Sequence, residues 1–183
     1  CDKPPVGTTA AILEHNRPAI IMSDGSVKPG TDSETNEPID IISGFQIAGS
    51  QDEDLKKRIA CEACPGYGSC GGMFTYNTMQ TFIGVIGLQP LHMIAPPSDD
   101  PRRITEFPLQ LVEYLKICID KNITPRDIVT RDSIRNAMIV SMAVGGSTNV
   151  LLHAPEIARA AGFRDFSKDI MSPVAKFANL KIP

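Results

Sequence analysis

Three cysteines lie close together in the middle of the chain, at a spacing that could bind a metal. Cys61, Cys64 and Cys70 form a C-x2-C-x5-C pattern. Thiolates at such a spacing bind zinc or an iron–sulfur cluster. The alternative is a glycine-rich turn in which the cysteines are incidental. The spacing alone leaves both interpretations open.

Of the three, Cys70 is the best single ligand candidate. Residues 64–72 contain four glycines and one proline, a composition that predicts a tight irregular loop. Glycines in such a loop leave backbone N–H groups available to the sulfides of a cluster. The loop also leads into a helix predicted over 73–87, and the positive end of a helix lowers the pKa of a nearby thiol.

Two further stretches are candidates for chemistry. The chain begins with Cys1–Lys3, which is too short to predict anything beyond a surface Asp–Lys pair. The segment Gly145–Asn149 forms a Gly-Gly-Ser-Thr-Asn turn between two apolar helical stretches. Its backbone N–H groups could bind a carboxylate or a phosphate. Alternatively, the two glycines end one helix and Ser147 or Thr148 caps the next.

Composition narrows the class of protein. The chain has 183 residues and a net charge of −3, which argues against a nucleic-acid groove or a basic membrane-binding surface. No apolar run approaches the ~20 residues that a bilayer span requires. The odd count of five cysteines favours free or metal-bound thiols in a reducing compartment over a disulfide framework.

The elements that must position these residues are mostly helical. An apolar run over 17–23, bounded by Pro18 and Gly25, predicts one buried strand. A lone strand cannot form a sheet, so its partners are either unrecognised or outside the chain. Hydrophobic periodicity and capping residues predict seven or so helices and one helical turn, over 6–14, 39–49, 52–63, 73–87, 98 to about 121, 124–129, 130–146 and 148–162.

Taken together, five stretches resemble the family of dihydroxy-acid and sugar-acid dehydratases. They are "CDK…GT" at 1–8, "NRPAI…G…KPG" at 16–30, "ACPGYGSCGGMFTYNTM" at 63–79, "ITPRDIVTRDSIRNAM" at 123–138 and "GGSTNVLLH" at 145–153. They occur in the family's order and cover essentially the whole chain. The "CPGYGSCGGMFT" and "GGSTN" stretches are similar to the dihydroxy-acid branch.

The resemblance implies an α/β fold, specifically an incomplete layered α/β/α N-terminal dehydratase domain that is helix-rich with few strands. Residues 1–183 would form the central part of that domain, and its largely parallel sheet would include Ala19–Met22. An upstream segment and a C-terminal β-rich domain would lie outside the chain. Local departures, such as Ser-Asp-Gly at 23–25 where the family commonly has Gly-Gly, indicate that substrate preference could differ.

The resemblance also implies roles for individual residues. Cys1 and Cys70 would bind an iron–sulfur cluster, [2Fe–2S] or alternatively [4Fe–4S], with their sulfur atoms within roughly 4–7 Å of each other. Asp2 would bind Mg²⁺, and Lys3 would do so as a carbamate formed by CO₂ addition to its amine, which supplies a hard oxygen ligand. No catalytic residue is expected within the chain, because the family's serine base lies in the C-terminal domain.

The implied enzyme is a hydro-lyase that dehydrates a 2,3-dihydroxy acid to a 2-keto acid in branched-chain amino-acid biosynthesis. Its partner would be that small molecule, with no nucleic acid or membrane, and the full-length protein would be a homodimer. The compartment would be the cytoplasm, or the mitochondrion or plastid in a eukaryote. Two alternatives stay open: an aldonic-acid dehydratase of the same family, and a non-catalytic metal-binding module built on Cys61, Cys64 and Cys70.

A chain with one predicted strand and part of a metal site should not catalyse by itself. We therefore expect purified residues 1–183 to show no turnover of 2,3-dihydroxyisovalerate, even after cluster reconstitution. The measurement is 2-keto acid formation under anaerobic conditions. Turnover above the protein-free background would show that the chain contains a complete active site.

Overall fold

Helices dominate the part of the chain that the computed structural model describes, residues 3–94 and 96–171. The helices are α1 (Lys3–His15), α2 (Ile41–Gln46), α3 (Glu53–Glu62), α4 (Thr75–Val85), α5 (Arg102–Thr105), α6 (Phe107–Asp120), α7 (Pro125–Ile128), α8 (Arg131–Ala143) and α9 (Val150–Ala160). Two short strands, β1 (Gly30–Thr31) and β2 (Pro38–Ile39), pair antiparallel with Gly30 opposite Ile39. The prediction of a helix-rich chain with few strands is confirmed.

The main hydrophobic core lies between α1, α4, α8 and α9, which pack against one another. α4 and α9 each contact all three of the other helices, and the interface of α4 with α8 is the most extensive of the set. Met79, Phe82 and Ile83 of α4 are fully buried, and they pack in the same cluster as Ile134 and Met138 of α8. The amphipathic periodicity of both helices requires this burial. The start of α4 is therefore held in a defined place.

A second, smaller cluster joins the β1–β2 hairpin to α3. Ile39 of β2 packs with Ile59 and Ala63 at the C-terminal end of α3. Arg58 of α3 also binds the buried Asp32, with 3.0 Å between its Nε and the carboxylate oxygen. These contacts anchor the point at which the glycine-rich loop leaves α3.

The predicted strand over 17–23 is wrong as an element, although the segment is extended. Within the described residues, Ala19–Met22 carries no strand, and the main-chain N–H of Ile21 donates to the carbonyl of Leu88 at 2.8 Å. Its neighbour is the loop after α4 rather than a strand, so no ladder of hydrogen bonds can form. The pairing further along is parallel but isolated, between Ser26 and both Ser69 and Pro97. The small amount of strand in the described residues is consistent with an incomplete α/β domain, but Ala19–Met22 is not part of a sheet there.

α1 begins earlier than the sequence predicted. The sequence predicts a helix from residue 6, yet α1 starts at Lys3 and includes both Pro4 and Pro5. The first N–H groups of a helix have no intrahelical partner, so proline costs little there. Lys3 therefore stands at the helix start.

The helix expected from Ser98 to about Lys121 is divided. Ser98 does not cap it, because its hydroxyl oxygen makes no hydrogen bond with the described residues, and its main-chain N–H donates to the carbonyl of Ser26 at 2.9 Å. The cap residue of α5 is Pro101, and the Asp100 carboxylate just before it accepts from the N–H of Arg102 at 2.9 Å. α5 and α6 then meet at Glu106, just before Pro108 in the first turn of α6.

α6 presents apolar side chains to the surface. Leu109, Val112 and Ile119 are each more than half exposed, and α5 is the main helix packed against α6 among the described elements. No helix in residues 3–94 and 96–171 has the length and apolar character needed to cross a bilayer.

Substitution of Phe82 tests the central position of α4. Phe82→Ala removes a fully buried ring, so we expect it to lower the free energy of unfolding by about 3–5 kcal/mol. Ile119→Ala, at a position 59% exposed, should change it by no more than about 0.5 kcal/mol. Urea denaturation followed by circular dichroism measures both. Equal losses for the two variants would contradict a core centred on α4.

Candidate functional site

Cys70 lies in an irregular loop between α3 and α4. Its thiol is free and exposed, five residues before the first residue of α4. Residues 63–74 contain no helix or strand element, and Gly66 and Gly68 have positive φ angles. The predicted glycine-rich loop is confirmed, and it leads directly to a helix N-terminus.

Backbone hydrogen bonds tie this loop to two other segments. The N–H of Val27 donates to the carbonyl of Ser69 at 2.7 Å, and the N–H of Ser69 donates to the carbonyl of Gly25 at 3.0 Å. The segment 25–27 is also bound on its other side, where the main-chain N–H of Ser98 donates to the carbonyl of Ser26. Ser69, the residue directly before Cys70, therefore has both its main-chain N–H and its carbonyl in hydrogen bonds.

Gly68 is the position where this approach is closest. Its φ is +134°, and a Cβ there would lie 2.5 Å from the main-chain nitrogen of Val27. Gly66 also has a positive φ, +91°, but a Cβ there would meet nothing within 4 Å. Gly68 is thus required for both its backbone conformation and its contact, whereas Gly66 is required for its conformation alone.

The first turn of α4 contributes side chains that bind the surrounding loops. The buried hydroxyl of Tyr76 lies 3.1 Å from Ser23 Oγ and accepts the main-chain N–H of Asp24 at 3.2 Å. Asn77 Nδ2 donates to the carbonyls of Cys70 and Gly72, each at 2.7 Å. Our reading of the sequence missed Tyr76 and Asn77. The available signal is a run of polar residues in the helical turn that follows a glycine loop.

The Gly145–Asn149 turn joins α8 and α9 to that same turn of α4. The N–H of Ser147 donates to Thr78 Oγ1 at 2.9 Å, and Asn149 Nδ2 donates to Thr75 Oγ1 at 2.8 Å. The first N–H groups of α9, at residues 150–152, donate to the carbonyls of residues 147–149. Their engagement favours the connecting role over an anion site. The cap residue of α9 is Asn149 rather than Ser147 or Thr148, but Asn149 makes no side-chain cap bond in the described part of the chain, whereas the Ser147 hydroxyl accepts from the N–H of Asn149 at 3.3 Å.

A pocket of about 510 Å³ lies between the start of α1 and the loop that leads to Cys70. α1 contributes Pro4, Pro5 and Thr8, and the loop contributes residues 67–69. Its remaining lining residues come from the extended segment, from α4 and from Ser98: Ile21, Met22, Asp24, Tyr76, Gln80 and Ser98. Pro4, which follows Lys3, and Ser69, which precedes Cys70, therefore border one pocket, although neither Lys3 nor Cys70 itself lines it.

The structure describes two of the four predicted ligands, Lys3 and Cys70. Cys70 is exposed at the loop described above, and Lys3 is exposed at the first position of α1, beside the pocket-lining Pro4. Cys1 and Asp2 lie outside the described residues. The distance between the sulfurs of Cys1 and Cys70 stays a prediction.

The other two clustered cysteines differ from Cys70. Cys61 is exposed on α3, whereas burial, followed by the charges of Asp40 and Cys70, raises the pKa of the Cys64 thiol. A thiol that keeps its proton is a weaker metal ligand. Across residues 3–94 and 96–171, no three cysteine, histidine, aspartate or glutamate side chains group closely enough to hold a metal ion. Cys61, Cys64 and Cys70 therefore do not form the three-thiol site of the metal-module alternative.

The residues present fit the groups that the resemblance implied. Cys70 offers a soft, exposed thiolate, and in the described structure the N–H groups of Gly71 and Gly72 bind no protein acceptor. Cluster sulfides accept hydrogen bonds from such N–H groups. The exposed amine of Lys3 is accessible to CO₂, and a carbamate with the Asp2 carboxylate would supply the oxygen ligands that Mg²⁺ prefers.

Comparison with known proteins identifies the family. The model described as dihydroxy-acid/6-phosphogluconate dehydratase N-terminal matches residues 1–181. A match over almost the whole length shows that the chain belongs to the dihydroxy-acid/6-phosphogluconate dehydratase family, in its N-terminal region.

Individual relatives narrow the comparison. The chain is 38% identical to the chloroplastic dihydroxy-acid dehydratase of Arabidopsis thaliana, over 99% of this chain and 31% of the relative. It is 42% identical to the dihydroxy-acid dehydratase of Nitrosospira multiformis, over 88% and 29%. It is 36% identical to the mitochondrial enzyme of Saccharomyces cerevisiae, over 90% and 29%. The chain thus spans about three tenths of the length of these relatives.

Gly68→Ala should displace the loop that carries Cys70. The added Cβ would collide with the main chain of Val27, so we expect faster amide hydrogen exchange at Ser69 and Val27. Gly66→Ala is the matched control, because it places an alanine at a positive φ angle but its Cβ would meet no atom within 4 Å. Hydrogen exchange with mass spectrometry compares the two. Equal amide exchange rates at Ser69 in the two variants would show that the contact between a Cβ at position 68 and Val27 does not displace the loop.

Proposed function

We propose that this protein is a hydro-lyase that removes water from a 2,3-dihydroxy acid to give a 2-keto acid. The observation that carries the proposal is the shared pocket: the helix that starts at Lys3 and the loop that leads to Cys70 border the same space. Membership of the family supports a dehydration, and relatives named dihydroxy-acid dehydratase support this reaction over that of a 6-phosphogluconate dehydratase.

The proposed ligands divide into a soft set and a hard set. Cys1 and Cys70 hold a [2Fe–2S] cluster, with [4Fe–4S] as the alternative, and Asp2 and carbamylated Lys3 hold Mg²⁺. When bound, these groups supply Lewis acidity: Mg²⁺ for the carboxylate and 2-hydroxyl side, and a cluster iron for the leaving 3-hydroxyl. The remaining ligands and the base come from outside residues 1–183.

The described residues position and enclose the substrate. Asn77 binds the carbonyls of Cys70 and Gly72, and the first turn of α1 lines the pocket with Pro4 and Pro5. Pro5, Ile21 and Met22 line part of the pocket with apolar groups. Such a wall suits the branched alkyl group of a five-carbon acid, because it excludes water from that end.

An aldonic acid is the second candidate substrate. Asp24, Gln80 and Ser98 line the same pocket, and their polar groups suit the extra hydroxyls of a sugar acid. A panel of 2,3-dihydroxyisovalerate, 2,3-dihydroxy-3-methylvalerate and several aldonic acids separates the two. Higher kcat/KM for the branched acids supports our proposal, and higher kcat/KM for an aldonic acid would replace it.

The wider setting is proposed on the same basis. Branched-chain amino-acid biosynthesis is the pathway that uses these acids, and the functional unit is a homodimer without nucleic-acid or membrane partners. The compartment is the cytoplasm in a bacterium and the mitochondrion or plastid in a eukaryote. The names of the chloroplastic and mitochondrial relatives support the eukaryotic part.

Single cysteine substitutions test the ligand set in protein expressed from its full gene. Cys70→Ser should abolish both cluster binding and dehydration, because oxygen is a poor substitute for a thiolate ligand. Cys61→Ser is the matched control and should leave iron, sulfide and activity close to their original values. Iron and sulfide analysis with a 2-keto acid assay gives the answer. A cluster that survives Cys70→Ser but not Cys61→Ser would refute the assignment.

A further inference from the structure

Asn77 makes three side-chain hydrogen bonds around the loop that carries Cys70. Its Nδ2 donates to the carbonyl of Cys70 and to the carbonyl of Gly72, each at 2.7 Å. Its Oδ1 accepts from Ser26 Oγ at 3.0 Å. One side chain therefore binds the loop on both sides of Gly71 and links it to the extended segment.

The orientation of this amide follows from the chemistry of its partners. A carbonyl oxygen can only accept, so the atom that faces both carbonyls must be the NH₂ group. Oδ1 then faces Ser26, whose hydroxyl donates. Ser26 is held in turn, because its carbonyl accepts from the N–H of Ser98 at 2.9 Å. No other orientation of Asn77 satisfies the three partners.

The two carbonyl contacts also set the direction of the neighbouring N–H groups. The described residues contain no cis peptide bond, so each carbonyl points opposite to the N–H of the same peptide unit. When Asn77 holds the carbonyls of Cys70 and Gly72, the N–H groups of Gly71 and Met73 point away from it. Glycine-rich backbone otherwise rotates easily, so this restraint matters most at this loop.

We propose that Asn77 is a positioning residue for the Cys70 ligand, with Ser26 as the group that orients its amide. It fixes the peptide units Cys70–Gly71 and Gly72–Met73, so that the Cys70 sulfur and the N–H groups of Gly71 and Met73 are arranged before a cluster binds. This inference rests on the proposed function in one respect, the assignment of Cys70 as a cluster ligand.

Asn77→Asp is the sharpest variant, because it has nearly the same shape but places a carboxylate oxygen against two carbonyl oxygens. Outer residues that orient metal ligands typically change metal affinity by about 10–100-fold. We therefore expect the Asn77→Asp protein, expressed from its full gene, to lose its cluster to a chelator at least about tenfold faster. Asn77→Ala should show the same direction, and Ser26→Ala, which keeps both carbonyl contacts, a smaller effect.

The readouts separate positioning from a general loss of structure. Cluster loss is followed by visible absorption and by the electron paramagnetic resonance spectrum of the reduced cluster, and the metal-free protein is melted by circular dichroism. Asn149→Asp is the matched control, since it makes the same change at an amide that binds Thr75 of the same helical turn, not the loop. If Asn77 positions Cys70, the Asn77 variants lose the cluster faster than Asn149→Asp does. Their metal-free forms then unfold at temperatures no lower than that of metal-free Asn149→Asp.

The outcomes distinguish this inference from the proposed function. If Cys70→Ser keeps a normal cluster, the ligand assignment fails and the role of Asn77 fails with it. If Cys70→Ser loses the cluster while both Asn77 variants keep it at the original rate, Asn77 does not position Cys70 and the proposed function stands. If Asn149→Asp loses the cluster as fast as Asn77→Asp, the effect is structural and the inference is wrong.

Discussion

The hydrogen bonds made by the first turn of α4 connect the separate parts of this molecule. Residues 75–78 follow one another in the sequence, yet their side chains bind three different segments: Ser23–Ser26, the Cys70 loop and the Gly145–Asn149 turn. The rest of the helix is buried between α1, α8 and α9. Because the buried part cannot shift without disturbing the core, the polar turn at its end is a fixed point for all three loops.

This arrangement explains why a loop with four glycines in nine residues can present a defined ligand. Glycines allow the close approaches at Gly68 and the positive φ angles, but they also leave the backbone free to rotate. Hydrogen bonds to other segments restrict this rotation: the main chain of Ser69 binds Gly25 and Val27, and the Asn77 amide binds the carbonyls of Cys70 and Gly72. Because the loop is already ordered in this way, ligand binding costs less conformational entropy.

The proposed chemistry requires ligands from the start of α1 and from this loop to meet, and helix packing brings these two segments to one pocket. α1 packs on both α4 and α9, so its first turn lies near the pocket that the loop also borders. The proposed function assigns hard oxygen ligands to Asp2 and Lys3 and a soft sulfur ligand to Cys70. A substrate with two adjacent hydroxyls needs just such neighbouring sites of different chemical character.

The sequence by itself determined the local features. Periodicity and capping residues predicted most of the helices, including the start of α8 at Thr130, because these signals act within a few residues. The glycine spacing predicted the irregular loop, and the order of the motifs predicted the family. Tertiary structure decided the rest. It left Ala19–Met22 extended but without a ladder, assigned Ser98 to a contact with Ser26, and gave Asn77 its three partners. Each of these depends on a main-chain or side-chain partner more than four residues away, and no local pattern specifies which distant group will supply it.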